Sequence, residues 1–272
     1  MKTVLITGCS SGIGAASAEY FAAREWNVAA TMRNPAASAL KNAPNLKLFA
    51  LDVTDPASIE KAVGQAIATF RTIDALVNNA GYGLYGPFET ASREAIERQF
   101  KTNVFGLFDV TRAVLPAMRA QRSGVIVNIS SIGGLTTFPL NSLYHATKFA
   151  LIGFSESLGF ELAPFGIRVK VVAPGGVATD FANRSLVTTF SDDKHPYADT
   201  VAKVTAAFRA RASSPNHSTS EQIAAVIFEA VTDGTGKTRY VAGGDAVALV
   251  AARAKMTDEQ YVAFMSQQMS LA

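Results

Sequence analysis

The sequence predicts a doubly wound α/β fold: a mostly parallel, seven-stranded sheet with helices on both faces. Short apolar runs rich in valine, isoleucine and leucine recur along all 272 residues. They lack strict alternation, as expected of strands covered on both sides. Stretches of helical length and periodicity separate them, and such strand–helix alternation builds parallel crossover units. Repeats and low-complexity linkers are absent, so residues 1–272 read as a single domain.

Taken in order, "TVLIT" (3–7) is the first strand and leads through a glycine turn into a helix over roughly 12–24. "VAATM" (28–32) and "LKLFAL" (46–51) follow as strands. Asp55-Pro56 then supplies an N-cap with proline in the first turn, opening a helix over 56–70. "DALVN" (74–78) precedes a helix over 92–120, and "GVIVNI" (124–129) one over 142–163. "IRVKVVA" (167–173) is next, then a helix over 220–233 and the last strand, "TRYVA" (238–242). The section 179–219 is the least regular, rich in Ser, Thr, Asp and Asn and carrying Pro196 and Pro215. A loop of that length inside a compact domain reads as a substrate-binding lid. The tail over about 245–272 is expected to be helical. Thr257 and Gln260 form a capping box there, and Tyr261, Phe264, Met265 and Met269 make one apolar stripe for packing on their own subunit or a neighbour's.

Composition excludes several classes of function. The formal charge is +3 with lysine and arginine scattered, which gives no electrostatic case for a nucleic-acid partner. Apolar runs are too short to span a bilayer, so no membrane partner is expected. A single cysteine, Cys9, excludes an internal disulfide and fits a reducing compartment. The opening "MKTVLITG" runs straight into a glycine turn, which reads as a strand and not as a secretion signal. A soluble cytoplasmic protein is the expectation.

Ligands of such sheets bind at the carboxyl ends of the strands. Just after the first strand stands "TGCSSGIG", with Gly8, Gly12 and Gly14 and a helix beginning near Ile13. Glycines let backbone approach a pyrophosphate, and the helix N-terminus offers it unpaired N–H groups. The same residues satisfy G-x-S-x-G, a nucleophile elbow that would make Ser10 the nucleophile of a serine hydrolase. That chemistry needs an acid and then a histidine after later strands, and none of His145, His195 and His217 follows one. The second strand ends "ATMRNP" with no carboxylate to hold a ribose diol, while Arg33 suits a 2′-phosphate. NADP is therefore favoured over NAD. Asp192, Asp193 and His195 cluster in the lid, where solvated polar residues are commoner than a metal site, and no metal is expected.

"LYHATKFAL" places Tyr144 and Lys148 four residues apart in a helical pattern. Residues at i and i+4 share a face, with Cβ atoms roughly 6 Å apart. A nearby cation favours the phenolate, which would bring a tyrosine toward use as a proton donor or acceptor. The alternative is an ordinary aromatic–lysine pair on a solvated face.

Several further motifs stand in order: "LDVT" (51–54), "NNAG" (78–81), "TNVFG" (102–106), "NISS" (128–131), "YHATK" (144–148) and "PGGVAT" (174–179). With "TGCSSGIG", they resemble the short-chain dehydrogenase/reductase family in its classical, Rossmann-type form, from about residue 3 to 245. The resemblance implies hydride transfer between a nicotinamide and a carbonyl or secondary alcohol. It assigns the cofactor to Gly8, Ser10, Ser11, Gly12, Ile13 and Gly14 in the turn, to Arg33, and to Asp52 and Val53 at the adenine. Asn79, Ala80 and Gly81 would line the cleft, and Pro174, Gly175, Val177 and Thr179 would meet the nicotinamide. Tyr144 would be the proton donor and Ser131 the hydrogen bond to the substrate oxygen. Lys148 would hold the ribose and lower the tyrosine's pKa, and Asn103 would hold a water linking Lys148 to solvent. In the family the serine precedes the tyrosine by about thirteen residues, which picks Ser131 and leaves Ser130 as the fallback. His145, directly after the tyrosine, departs from the small residue common there and is expected to serve packing or face solvent.

Substrate identity is less specified. Phe181, Leu186, Val187, Phe190, Tyr197 and Phe208 of the lid, with Tyr82, Leu84, Tyr85 and Phe88, would suit an apolar ketone, aldehyde or alcohol, including steroid- or retinoid-like ones. Equally, they would hold the lid to the body. The resemblance also implies a homodimer or homotetramer paired through the helices at 92–120 and 142–163. Two alternatives stand beside the enzyme: a non-catalytic dinucleotide sensor or scaffold, and the Ser10 hydrolase.

Overall fold

The computed structural model describes residues 1–177, 186–190, 194–212 and 217–271. The main sheet holds β1 (Thr3–Thr7), β2 (Asn27–Met32), β3 (Leu46–Ala50), β4 (Ala75–Asn78), β6 (Gly124–Ile129), β7 (Ile167–Pro174) and β9 (Arg239–Ala242). Their spatial order is β3-β2-β1-β4-β6-β7-β9, with every pairing parallel. The order reverses between β1 and β4, which opens a crevice at the carboxyl ends of those two strands. Two short strands, β5 (Gly83–Tyr85) and β8 (Leu186–Thr188), form a separate parallel pair.

Alternate residues of each strand feed two cores. Val4 and Ile6 face a layer built from Phe21, Ile223 and Ile227, carried by α1 (Gly12–Ala22) and α7 (Ser220–Thr232). Leu5 faces Ile59, Val110, Val114 and Leu158 on the opposite side. These belong to α2 (Pro56–Phe70), α4 (Gly106–Gln121) and α5 (Ser142–Leu162). Complete burial of β1 on both faces explains why its sequence is a continuous apolar run.

Two elements depart from the sequence reading. The helix expected over 92–120 is α3 (Arg93–Phe100), a π-helical segment at Lys101–Phe105, then α4. The wide turn falls on Asn103, and π segments of this kind concentrate at functional sites. The region 179–219, expected to be irregular, contains a fifteen-residue helix, α6 (Ala198–Ala212). Val204, Ala207 and Phe208 provide its inward stripe, but prolines and hydroxyl residues on both flanks dominate the composition of the stretch.

The tail forms α8 (Gly244–Arg253) and α9 (Asp258–Gln268), the latter opened by the Thr257–Gln260 capping box. Tyr261, Met265 and Met269 pack with Val204 and Leu249 in a third core, against Ile132, Phe138 and Leu140. The stripe is therefore buried within its own chain. Among the described residues, no helix is long and apolar enough to cross a membrane.

Candidate active site

The glycine turn sits at the carboxyl end of β1. Gly8 and Gly12 adopt φ of +74° and +57°, conformations that favour glycine. A Cβ on Gly14 would overlap the Gly8 carbonyl oxygen, so α1 packs as close to the turn as backbone allows. Ser11 is the N-cap of α1, yet its side chain makes no cap hydrogen bond, and no acid stands in the first turn. The positive end of this helix thus faces the crevice unneutralised, as an anion site requires. Ser10 is exposed beside it and Ile13 is partly buried.

Asn79 ties the neighbouring strand end to this turn. Its Nδ2 donates to the carbonyls of Thr7 (2.8 Å) and Gly8 (3.2 Å). The Thr7 hydroxyl in turn accepts from the backbone of Asn79 and Ala80, both at 3.0 Å. Asn79 therefore fixes the shape of the turn with its side chain, while Ala80 and Gly81 form the floor of the crevice. Arg33 is exposed just beyond β2. Asp52, after β3, accepts from the backbone and hydroxyl of Thr54 (2.9 and 2.8 Å). Partial burial raises its pKa, but those bonds and the charges of Arg33 and Lys101 outweigh it and hold the carboxyl below its usual value. Val53 lies where a Cβ on Gly106 would reach 2.7 Å from its carbonyl oxygen, so α4 starts hard against this segment.

The second group gathers at the ends of β6 and β4. Ser131 follows β6, and its hydroxyl accepts from the Gly133 N–H at 3.0 Å and hydrogen-bonds the Tyr144 phenol. Ser130 is buried and donates to the Lys148 carbonyl at 3.0 Å, which takes it out of the cleft and leaves Ser131 as the serine on the tyrosine. Lys148 is buried; its ammonium donates to the Ile129 carbonyl at 2.9 Å and lies 5.7 Å from the Tyr144 ring centroid. A Cβ on Gly81 would come within 3.1 Å of Asn103 Oδ1 and 3.8 Å of Lys148 Nζ, so that glycine keeps the space between them open.

One expectation about these side chains needs correction. Lys148 was expected to lower the Tyr144 pKa. Burial instead pushes the phenol up, opposed in part by the Ser131 hydrogen bond, because desolvation of a phenolate here outweighs a cation turned toward Ile129. The same burial pulls Lys148 down to about 8. The Asn103 amide is tied to its neighbours: Oδ1 accepts from the Tyr82 N–H at 3.0 Å, and Nδ2 donates to the Tyr82 carbonyl (2.9 Å) and Thr147 hydroxyl (3.2 Å).

The segment after β7 is held by a residue the sequence reading missed. Gly175 N–H donates to the Ala242 carbonyl at 2.8 Å, and Gly176 N–H donates to Asp245 Oδ2 at 2.7 Å. A Cβ on Gly175 would collide with the Asp245 carboxylate. Asp245 thus clamps the loop of Pro174, Gly175 and Val177 from sixty-nine residues away, a distance at which no local pattern signals the contact. Thr179 lies outside the described residues, as do Phe181, Asp192 and Asp193.

None of the three histidines hydrogen-bonds Ser10. His145 is buried against Gly133 and Phe138, the His195 ring stacks on Tyr197, and His217 packs where a Gly176 side chain would be. Helix α6 is held to the body: the Tyr85 hydroxyl meets Thr205 at 3.0 Å, and Phe208 packs edge-on to Tyr85 and Phe138.

The short chain dehydrogenase sequence profile matches residues 2–188. The chain belongs to the short-chain dehydrogenase family. A 3-ketodihydrosphingosine reductase of Bacteroides thetaiotaomicron is 39% identical over 73% of this chain and 72% of its own. A crystal structure of a short-chain dehydrogenase from Streptomyces avermitilis superposes with a TM-score of 0.83 at 34% identity, covering 99% of this chain and 96% of its own. The structure of ElxO with NADP bound matches at 27% identity and a TM-score of 0.74, covering 91% and 99% of the two chains. This short-chain dehydrogenase is accordingly an oxidoreductase acting on CH–OH or C=O groups, and the sensor and hydrolase readings give way to it.

Proposed function

We propose that the protein reduces the carbonyl group of a small apolar substrate with NADPH. The observation that carries this is the meeting of Ser131, Tyr144 and Lys148 beside a glycine turn whose helix end is left uncapped. A nicotinamide dinucleotide bound there supplies or accepts the hydride. Gly8, Ser10, Ser11, Gly12, Ile13 and Gly14 would hold its pyrophosphate, Asp52 and Val53 its adenine, and Ala80 and Gly81 its flank. Pro174, Gly175, Val177 and Thr179 would hold the nicotinamide. Arg33, with no carboxylate beside it on β2, is the reader of a 2′-phosphate.

As the substrate oxygen gains negative charge, Tyr144 donates its proton and Ser131 donates a hydrogen bond to the same oxygen. A phenol raised by burial is fully protonated at neutral pH, which suits the donor role and hence the reductive direction. Lys148 holds the ribose and stabilises the phenolate that forms. Asn103 acts through Tyr82 and Thr147, shaping the floor between Gly81 and Lys148.

Phe138, Leu140 and Phe208 are only partly buried, and Phe138 packs on His145 next to Tyr144 in α5, which supports a ketone or aldehyde with a hydrophobic body, steroid- or retinoid-like ones included. A homodimer or homotetramer through α4 and α5 is supported by the exposed rings of Phe105, Phe149 and Phe160. Titration with NADPH and NADH in parallel, followed by a screen of apolar carbonyl compounds, tests the reading. Tight NADPH and weak NADH binding, with the preference lost in Arg33→Ala, is expected. An NADH preference would sink the Arg33 assignment, and no binding of either would sink the reductase.

A further inference from the structure

His145 has no place in the scheme above, yet it is buried one residue beyond the proton donor and both ring nitrogens are engaged. The Phe138 N–H donates to Nε2 at 2.8 Å, and a backbone amide has only a donor to offer. Nε2 is therefore bare, the proton sits on Nδ1, and Nδ1 donates to the Gly133 carbonyl at 2.6 Å. The imidazole is locked as the neutral Nδ1–H tautomer. Burial lowers its pKa against the pull of the two hydrogen bonds, which agrees with that state.

Gly133 carries the effect onward. While its carbonyl is held by His145, its N–H donates to the Ser131 hydroxyl oxygen at 3.0 Å. A donor already on that oxygen turns the hydroxyl hydrogen away from the loop, toward Tyr144 and the substrate. Space is tight enough to enforce the arrangement: a Cβ on Gly133 would lie 2.9 Å from Nδ1 of His145 and 3.4 Å from Cε1 of Tyr144. One imidazole thus staples both ends of the turn between Ser131 and Phe138 to the helix that carries Tyr144 and Lys148.

We propose that His145 is a positioning residue that orients the Ser131 hydroxyl through Gly133, setting the serine to donate to the substrate oxygen. This rests on the carbonyl-reductase reading. His145→Leu removes both hydrogen bonds, while His145→Gln offers an amide donor and acceptor at similar spacing. Using NADPH and the most rapidly reduced carbonyl compound of the screen, His145→Leu is expected to lower kcat about 10- to 100-fold. NADPH affinity should stay within about twofold, since the glycine turn is untouched, and His145→Gln should recover most of the loss.

In the wild-type protein, nitrogen-15 histidine NMR should show the proton of His145 on Nδ1 throughout the neutral range. That readout needs neither turnover nor a folded variant. A proton on Nε2, or a folded His145→Leu with wild-type kcat while Tyr144→Phe is inactive, overturns the proposal. Tyr144→Phe turning over normally overturns the reductase reading instead.

Discussion

The Lys148 ammonium lies 5.7 Å from the centroid of the Tyr144 ring while donating to the Ile129 carbonyl, and burial moves the two groups in opposite directions. The phenol is pushed up and the ammonium down to about 8. The two values therefore move apart, so near the working pH the phenol keeps its proton as a donor while the ammonium is the group that titrates.

A pH profile follows. Lys148 is charged below about 8 and loses its charge above it, whereas Tyr144 stays protonated through neutrality. For carbonyl reduction, kcat/KM should be level through neutral pH and fall on the alkaline side with an apparent pKa of about 8, because kcat/KM reports groups of the free enzyme. Lys148→Met should be slow at every pH and lack that limb. An alkaline limb in wild-type enzyme beginning only near 10 would remove Lys148 from the assignment.

Gly14→Ala should abolish dinucleotide binding. The new methyl would overlap the Gly8 carbonyl oxygen and come within 2.6 Å of Asn79 Nδ2, so the turn must open where a pyrophosphate would lie. We expect NADPH affinity, followed by fluorescence titration, to fall at least about 100-fold while the far-ultraviolet circular dichroism is kept, since displacing backbone donors removes charge-assisted bonds outright. Retained tight binding would mean that the cofactor lies elsewhere.

The adjacent serines separate catalysis from stability. Ser131→Ala should lower kcat by about 100-fold or more, the scale of one lost donor at a developing oxyanion, with the melting temperature nearly unchanged. Ser130→Ala should do the reverse. It removes the bond to the Lys148 carbonyl, worth about 1 kcal/mol, and leaves turnover within a few-fold. Equal loss of kcat in both variants would contradict the division of labour.

The five inner strands were legible because they are buried on both faces and so read as apolar runs. The edge strands β3 and β9 kept enough apolar residues to be read as well, and the predicted limits of all seven fall within a residue or so of those observed. What local pattern could not supply was contact across long separations. Nothing near "GGDAV" marks Asp245 as the clamp on Gly175 and Gly176. The three-residue strands β5 and β8 are too short to carry a period, and α6 is masked by its polar flanks. His145 was expected to serve packing or face solvent. It is buried and bonded to Gly133, a partner that depends on a loop path no periodicity encodes. The tyrosine's pKa direction was missed for a related reason: sequence shows a lysine four residues on, but not how deeply both groups are buried.

Far from the crevice, Lys170 is fully buried on β7 and bonds Asp233 at 2.5 Å and the Tyr240 hydroxyl at 3.0 Å, and Tyr240 also donates to Asp233. Desolvation raises the Asp233 pKa, but hydrogen bonds from Lys170, Tyr240 and Thr235 outweigh it and hold the carboxyl well below the usual range. The folded chain therefore gives up this proton at lower pH than the unfolded chain does. Its stabilisation is complete above the unfolded value, about 3.9, and is lost as pH falls through the depressed folded value. Asp233→Asn should thus be less stable than wild type at pH 7, by about 1.5–3 kcal/mol if the charged hydrogen bonds behave ordinarily. The gap should narrow below pH 4, as read from urea unfolding at a series of pH values. Lys170→Met should be destabilised at pH 7 on the same scale, because it leaves the carboxylate with only the Tyr240 and Thr235 hydroxyls and the Thr235 N–H. A gap for Asp233→Asn that is unchanged from pH 7 to the acid limit would show that the carboxylate's charge contributes nothing to the fold.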